Sequence, residues 1–213
     1  MCCTERIQHC HSHQQERYYL SKTCYDIITW DEVTVKNKVT SNRINSTILR
    51  AVKFYKIGKE DSFLLCDRKM GYAHHTNFKV VYAKKNLISY YLSTGTYYKG
   101  ILHEFHQFRT LNFNAITGEQ LHFIDIIDTT QISNLNAFII NKVARERINN
   151  SYEAVDSLAL KVQVGNQEFN ITNKGIELFY WYNDYPIDVL LSNEEVKPFI
   201  NRHSFFNRYF FEQ

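Results

Sequence analysis

Apolar and polar residues alternate along much of the chain, and this period of two predicts a protein built mainly from β-strands. Extended segments are predicted over residues 18–39, 62–66, 77–82, 87–93, 104–113, 119–123, 168–172 and 176–182. A turn at residues 84–86 joins two of these segments, and a turn at residues 114–118 joins two more. Connections this short predict antiparallel hairpins.

Three other segments have the apolar spacing of an α-helix. The first helix is predicted over residues 42–57, with apolar positions 44, 48, 51, 52 and 55 on one face and Gly58 at its end. The second has apolar positions 135, 138, 139 and 143 on one side and ends near residues 147–150. The third begins at Ser192, where Glu195 completes a capping box.

The order of the elements is β-α-β-β-β-β-α-β-β-α, with hairpins and not βαβ crossovers between the strands. This order predicts an α+β fold, an antiparallel β-sheet built from hairpins with two to three helices packed on one face. Residues 1–16 are predicted to be a polar N-terminal lead-in and residues 17–213 a single domain. The alternative is a pair of subdomains at about 17–130 and 131–213.

The composition narrows the class of protein. Of 213 residues, 44% are hydrophobic, but only 7 are glycine and 2 are proline, which excludes a disordered or linker-like chain. A formal net charge of +3 is too small for a dedicated nucleic-acid binder. No apolar run reaches the roughly 20 residues that a membrane-spanning helix needs. We therefore expect a soluble globular domain rich in tyrosine and phenylalanine.

Cysteine and histidine are concentrated near the N-terminus. His9, Cys10, His11 and His13 attract soft metals, but no second pair of ligands is evident, so we interpret them as part of the polar lead-in. The opening residues show no signal peptide. The alternatives are a cytoplasmic protein and an exported chain without its leader, in which case a cysteine near the N-terminus is a candidate for lipid attachment.

Histidine patterns give no convincing metal or catalytic site. His103 and His106 are three positions apart in a predicted strand, so they face opposite sides and cannot together hold one ion. His74 and His75 are predicted to lie in a surface loop, where adjacent side chains diverge. His122 is isolated.

Other catalytic patterns are equally weak. Neither a GxSxG elbow nor a glycine-rich phosphate loop occurs in the sequence. Glu104, Asp125 and Asp128 could supply paired carboxylates for glycosidase chemistry, but acidic residues at strand ends more often cap turns. We therefore expect a protein that is not an enzyme and that has no cofactor and no bound metal.

Two segments resemble a known family. Residues 97–103 read YYKGILH and are followed by NFNAITGE at residues 112–119. This resembles the "YYGGAH … NFDLKTGK" signature of the extracytoplasmic domain shared by the anti-sigma factor RsiV and the peptidoglycan deacetylase PdaC. Residues 169–180 read FNITNKGIELFY, with IDV at 187–189 and EVKPF at 195–199, and they resemble the end of the same domain.

The resemblance implies an exported, periplasmic or cell-surface protein with an α+β fold that binds and does not cleave. In RsiV-like proteins, loops of this domain grip lysozyme. The residues that match these loops are the candidate partner-binding residues Tyr97, Tyr98, Gly100, His103, Trp181, Tyr182, Tyr185 and Pro186. The sequence departs from the family pattern at Ile101 and Leu102, and in a shorter loop at residues 182–186.

Three functions follow as hypotheses. The first is a recognition domain for a protein partner, such as a lysozyme-like or other wall-degrading enzyme, with an inhibitor or immunity role. The second is a peptidoglycan-binding module that uses the same aromatic residues as stacking platforms. The third is a metal-dependent hydrolase built on His103, His106, His122 or the N-terminal cluster.

Overall fold

The computed structural model describes residues 9–21, 24–55, 72–98, 105–150, 160–163, 165–182 and 185–211. They form a mixed α+β fold in which antiparallel strand pairing dominates, which confirms the predicted fold class. The chain divides into two compact units, Met1–Glu119 and Gln120–Gln213. This boundary precedes the position near residue 130 at which the sequence suggested a division.

The first unit is a sheet covered on one face by a long helix. Its strands are ordered β1-β2-β3-β4-β5 across the sheet. Its elements are β1 (His9–Ser21), β2 (Cys24–Val35), α1 (Lys38–Tyr55), β3 (Tyr72–Lys84), β4 (Leu87–Tyr98) and β5 (Phe105–Asn114).

The second unit contains a three-stranded sheet and most of the short helices. Its sheet has the order β7-β8-β9, with antiparallel pairing throughout. Its strands and α-helices are β6 (Gln120–Leu121), α2 (Phe123–Ile126), α3 (Ile132–Asn150), β7 (Glu168–Ile171), β8 (Gly175–Tyr182), β9 (Tyr185–Ser192), α4 (Asn193–Val196) and α5 (Phe205–Phe210). Two 3₁₀ helices lie at Thr129–Gln131 and Lys197–Phe199.

The pairing of β2 with β3 corrects the prediction that only hairpins join the strands. These two strands run parallel, from Cys24 beside Tyr72 to Trp30 beside Phe78. The reason is that α1 lies between them in the chain, and a helical crossover returns the chain to the end of the sheet from which it started. The sequence predicted α1 over residues 42–57, close to its observed bounds.

The hydrophobic core of the first unit lies between α1 and the sheet. Ile44 and Ile48 of α1 are fully buried, as are Ile28 and Phe78 on the strands below. Asn45 ties the helix to β2, since its side-chain amide accepts a hydrogen bond from the Val33 amide and donates one to the Val33 carbonyl, both at 3.0 Å. The crossover is therefore held by apolar packing and by a polar link to β2.

The N-terminal lead-in predicted over residues 1–16 is wrong for residues 9–16, which lie in β1. This strand pairs antiparallel with β2 along nearly its whole length. The prediction failed because β1 is an edge strand whose described side chains, Ser12 to Arg17, are polar. The apolar alternation that marks a half-buried strand is therefore missing.

Both predicted turns are confirmed. Lys85 and Asn86 join β3 to β4 with φ values of 52° and 59°, the positive angles at both positions that define the preferred two-residue hairpin. At residues 114–118, Gly118 has a φ of 73° and its amide donates to the Asn114 carbonyl at 2.7 Å. The predicted strand at residues 62–66 lies outside the described residues.

Candidate functional site

The structure describes the predicted partner-binding residues to different degrees. The side chains of Tyr97, Tyr98 and Trp181 are described. Only the backbone is described for three more residues, which lie in β8 and β9: Tyr182, Tyr185 and Pro186. Gly100 and His103 lie outside the described residues.

Tyr97 and Tyr98 end β4 and project to opposite faces of the first sheet. Tyr97 is 43% exposed, and it faces away from α1. Tyr98 is partly buried and lies on the α1 side. Successive side chains on a strand alternate between faces, so the two tyrosines are divided between the two faces, and Tyr97 is the exposed member.

The face around Tyr97 is set by the strand register. Tyr97 is the partner of Ala73 on β3, and Ala73 is the partner of Tyr25 on β2. In the next row, Gly95 lies between His75 on β3 and His106 on β5. We call these six residues the Tyr97 face.

The Tyr97 face combines two small residues with aromatic and imidazole rings. Ala73 and Gly95 are the small residues, and the side chains of His75, Tyr97 and His106 are exposed. The rings of Tyr25 and His75 meet edge-on, with centroids 5.5 Å apart and planes at 73°. Sequence reasoning missed Tyr25 and His75, because only the pairing of β2, β3 and β4 brings them beside Tyr97.

His74 and His75 correct the prediction of a surface loop, since both lie in β3. His74 is only 5% exposed, and its ring nitrogens lie 2.7 Å from the Thr96 hydroxyl and 2.9 Å from the Thr76 hydroxyl. The two histidines diverge, as expected, because neighbours on a strand face opposite sides. His74 therefore serves the interior and His75 the exposed face.

A layer of buried polar residues surrounds His74 on the α1 side of the sheet. Asp26 is the register partner of His74 and is 4% exposed, and Thr76 and Thr94 are even less exposed. No sequence signal singled out this layer, because its members come from three strands and resemble ordinary strand residues. The hydroxyls of Thr76 and Thr96 provide hydrogen-bond partners for the buried His74 imidazole.

Trp181 is an exposed aromatic residue of the second sheet. It is 44% exposed at the end of β8, and its register partner is Pro186 on β9. Glu177 of β8 and Asp188 of β9 lie on the same face. Burial raises the pKa of the Glu177 carboxyl, the charge of Asp188 raises it further, and a hydrogen bond with Asn170 opposes the rise.

The loop predicted at residues 182–186 is shorter in the structure. Tyr182 and Tyr185 are directly paired across β8 and β9, so both belong to strands, and β9 continues to Ser192. The sequence analysis did not predict β9. The pair instead closes a hairpin, and this places Trp181 beside its tip.

Two of the three carboxylates proposed for glycosidase chemistry act as helix caps. The Asp125 side chain accepts a hydrogen bond from the His122 amide at 2.8 Å. The Asp128 side chain accepts from the amide and the hydroxyl of Thr130, and these two hydrogen bonds lower the pKa of Asp128. Glu104 lies outside the described residues.

The residues of the N-terminal cluster belong to β1. Of their side chains, that of His13 is described, and it contacts a neighbouring strand. The His13 ring lies 3.0 Å from the buried Asp31 carboxylate on β2. The other oxygen of Asp31 accepts a hydrogen bond from the Val80 amide at 2.9 Å, just beyond the end of the β2–β3 pairing. Nothing is described for the side chains of His9, Cys10 and His11.

The described residues bring together no cluster of metal ligands: among them, no group of three or more His, Cys, Asp or Glu side chains could hold a metal ion. His106 lies on β5, whereas its proposed partner His103 is outside the described part of the chain. No helix among the described residues is long and apolar enough to cross a membrane.

Several residues of the family-like motifs shape turns and caps. The Thr172 hydroxyl accepts hydrogen bonds from the amides of Lys174 and Gly175, both at 3.1 Å, in the turn before β8. Ser192 and Glu195 form the predicted capping box, and Glu195 also accepts from the Lys142 ammonium at 2.7 Å. Burial raises the pKa of the Glu195 carboxyl, but the hydrogen bonds from Lys142 and Ser192 outweigh this effect and hold that pKa below its ordinary value.

Comparison with known proteins identifies the fold. No protein family model and no curated protein matches the sequence. The structure resembles a member of the DUF3298 family from Bacteroides fragilis, with 14% identity, a TM-score of 0.59, and coverage of 92% of this chain and 94% of that one. It also resembles a DUF3298 family protein from Pseudomonas aeruginosa, with 10% identity, a TM-score of 0.61, and coverage of 90% and 94%. Likeness at this identity shows the fold, and it is consistent with the resemblance to the domain of RsiV and PdaC.

Proposed function

We propose that this protein is a non-catalytic recognition domain of the bacterial cell envelope that binds a protein partner. The observation that carries the proposal is the exposure of Tyr97 and Trp181, two large aromatic side chains at strand ends. Tyr97 is 43% and Trp181 44% exposed. Each lies on a sheet that positions it rigidly, so each can anchor a partner.

Tyrosine and tryptophan are suited to this role. Their rings bury a large area when a partner covers them, and they have few rotatable bonds to immobilise. Anchors of this kind lose about 2 kcal/mol or more of binding free energy when truncated to alanine. Ala73, the register partner of Tyr97, is small, so it leaves the exposed Tyr97 ring accessible to a partner.

The fold supports a partner among wall-degrading enzymes. Its likeness to DUF3298 proteins is consistent with the motifs that resemble the RsiV and PdaC domain, and in RsiV-like proteins loops of this domain bind lysozyme. A lysozyme-like enzyme is therefore the first partner class, and occlusion of its cleft is the mechanism of inhibition or immunity. An extracytoplasmic location, with lipid attachment near the N-terminus, belongs to the same proposal.

Binding to a panel of lysozymes and secreted wall hydrolases tests the proposal. We expect at least one of them to bind with a Kd of about 1 μM or tighter, which corresponds to about −8 kcal/mol. Loss of the anchor that the partner covers, in Tyr97→Ala, in Trp181→Ala or in both, weakens that binding by about thirtyfold, the equivalent of 2 kcal/mol.

Phe54→Ala is the matched control. Phe54 is an aromatic residue that is 76% exposed on α1, away from the Tyr97 face, so its loss leaves the affinity unchanged. The proposal fails if no member of the panel binds, or if both aromatic variants bind as tightly as the control. If the protein occludes the cleft of the hydrolase, the activity of the hydrolase in the same samples decreases as the complex forms.

A glycan-binding function is the second candidate, and the surroundings of Trp181 favour it. The exposed indole shares its face with Asp188 and Glu177, and an aromatic platform beside carboxylates can stack on a sugar ring and accept its hydroxyl hydrogens. Sedimentation with purified peptidoglycan separates the two functions. Binding to the wall that Trp181→Ala abolishes, without binding to any hydrolase, favours the glycan module.

A further inference from the structure

The start of α1 and two turns of the sheet meet at one corner of the first unit. The Thr40 hydroxyl of α1 donates a hydrogen bond to the Ile116 carbonyl, in the turn after β5, at 3.0 Å. The turn between β3 and β4 joins the same corner, because the Ala115 amide donates to the Asn86 carbonyl at 2.8 Å. Three segments that are distant in the sequence therefore form one surface.

Two aliphatic side chains project from this corner. Val39 is 76% exposed and Ile116 is 48% exposed. The Val39 amide donates to the Asn37 side chain at 2.8 Å, while the next residue, Thr40, is only 4% exposed. The Ile116 amide likewise donates to the Asn114 side chain at 2.8 Å. These local hydrogen bonds fix the backbone so that both apolar side chains face outward.

Positive charge surrounds the two aliphatic side chains. The charged residues at this corner are all exposed, and they are Lys36, Lys38, Arg43, Lys84, Lys85 and Glu119. Five cations and one carboxylate leave a net formal charge of +4. The Glu119 carboxylate lies 3.9 Å from the Arg43 guanidinium, so it offsets one of the cations. We call this surface, together with Val39 and Ile116, the basic corner.

We propose that the basic corner docks this protein on an anionic lipid bilayer. Anionic headgroups attract each nearby lysine or arginine, and each contributes about fivefold to the affinity. Val39 and Ile116 enter the boundary between the headgroups and the acyl chains, as the apolar side chains of interfacial helices do. This docking does not require a partner on the Tyr97 face.

The kinds of exposed residue favour a bilayer over an acidic protein. Protein interfaces are anchored mainly by tryptophan, tyrosine and arginine that fill pockets of the partner, and lysine is depleted in them. The basic corner instead presents lysines and two aliphatic side chains, at the start of a helix and in a turn. A bilayer accepts such residues without a matching pocket, because its lipids rearrange around them.

Flotation with lipid vesicles tests the proposal. The probe is phosphatidylcholine vesicles that contain anionic phosphatidylglycerol, and we expect binding at low salt to be at least about a hundredfold stronger than to phosphatidylcholine alone. Lys36→Gln combined with Lys38→Gln weakens this binding by about thirtyfold. Added salt weakens it as well, because ions screen the charges. Val39→Ser combined with Ile116→Ser weakens it by about tenfold, because less apolar area enters the interface.

Two matched controls lie elsewhere on the first unit. Lys53→Gln combined with Lys79→Gln removes the same charge from exposed positions. Lys53 is about 20 Å from Val39 along α1, and Lys79 lies on the face of β3 opposite α1. Phe54→Ser is the control for the aliphatic pair, because Phe54 is also 76% exposed but lies at the other end of α1. Both controls bind the anionic vesicles as the wild type does, and every variant keeps the circular dichroism spectrum of the wild type.

Three results would overturn the proposal. The first is binding to anionic vesicles that is absent or no stronger than binding to neutral ones. The second is a lysine variant that binds them as tightly as its control. The third is an aliphatic variant that binds as tightly as its control; together with binding to soluble poly-glutamate, that result would assign the basic corner to an acidic protein.

Discussion

Gly175 begins β8 with a φ of +150°, a backbone conformation that residues with a side chain rarely adopt. A Cβ atom built there would lie 2.8 Å from the carbonyl carbon of Ser192 and 2.9 Å from that of Leu191, and closer still to the Leu191 carbonyl oxygen. These are backbone atoms of β9, which cannot retreat without breaking its pairing with β8. Backbone strain costs about 1–3 kcal/mol and overpacking a similar amount, so we expect Gly175→Ala to lower the free energy of unfolding by about 4 kcal/mol.

Denaturation in guanidinium chloride, followed by tryptophan fluorescence, measures the change. Trp181 lies on the same strand as Gly175 and reports on this sheet. Gly165→Ala is the control, because no atom lies within 4 Å of a Cβ built at that position, and it changes the stability by less than about 0.5 kcal/mol. If Gly175→Ala is as stable as Gly165→Ala, the close approach of β8 and β9 at this position is wrong.

Three further substitutions test local interactions, each by denaturation. Asn45→Ala leaves the Val33 amide and carbonyl without their side-chain partner, so we expect it to lower the free energy of unfolding by about 1–3 kcal/mol. It also speeds hydrogen exchange at the Val33 amide, and exchange at the wild-type rate would contradict the link between α1 and β2. Glu195→Gln is less stable than the wild type by about 1 kcal/mol at pH 7. Because the folded-state pKa of Glu195 is lowered, the difference shrinks as the pH falls below the ordinary pKa of a glutamate and disappears below the folded-state pKa; a difference that does not shrink argues against the ionised cap. For Glu177→Gln the stability difference has the opposite sign, because the folded-state pKa of Glu177 is raised. The wild type keeps its full stability below the ordinary pKa of a glutamate and loses some as the pH rises. We therefore expect the variant to be more stable than the wild type by about 0.5 kcal/mol at pH 7 and equally stable at about pH 3.

Local elements of this protein were predictable because their determinants lie within a few residues of one another. The period of apolar positions predicted α1, and the Ser192 and Glu195 pair predicted the start of α4. The turn at Lys85 and Asn86 was likewise predicted from residues beside it. Hydrogen bonds in turns and caps span two to four positions, so their signals survive without knowledge of the fold.

Elements at the sheet edges were harder to predict. The described side chains of β1, Ser12 to Arg17, are polar, so no apolar alternation marks this strand. The strand β9 follows β8 so closely in the chain that its first residues were interpreted as a loop. The parallel pairing of β2 with β3 depends on where the chain returns after α1. No short window of sequence contains that information.

The sequence by itself determined which residue types are available for recognition: 15 tyrosines and 15 phenylalanines, a tryptophan among the candidates, and histidines in several places. Only the tertiary structure decided which of them share a surface. Tyr97 faces outward and Tyr98 inward because of the register of β4, and His75 and His106 flank Gly95 because β3, β4 and β5 are neighbours. Pairing between distant strands is set by burial of the whole sheet against α1, which no single segment of the chain encodes.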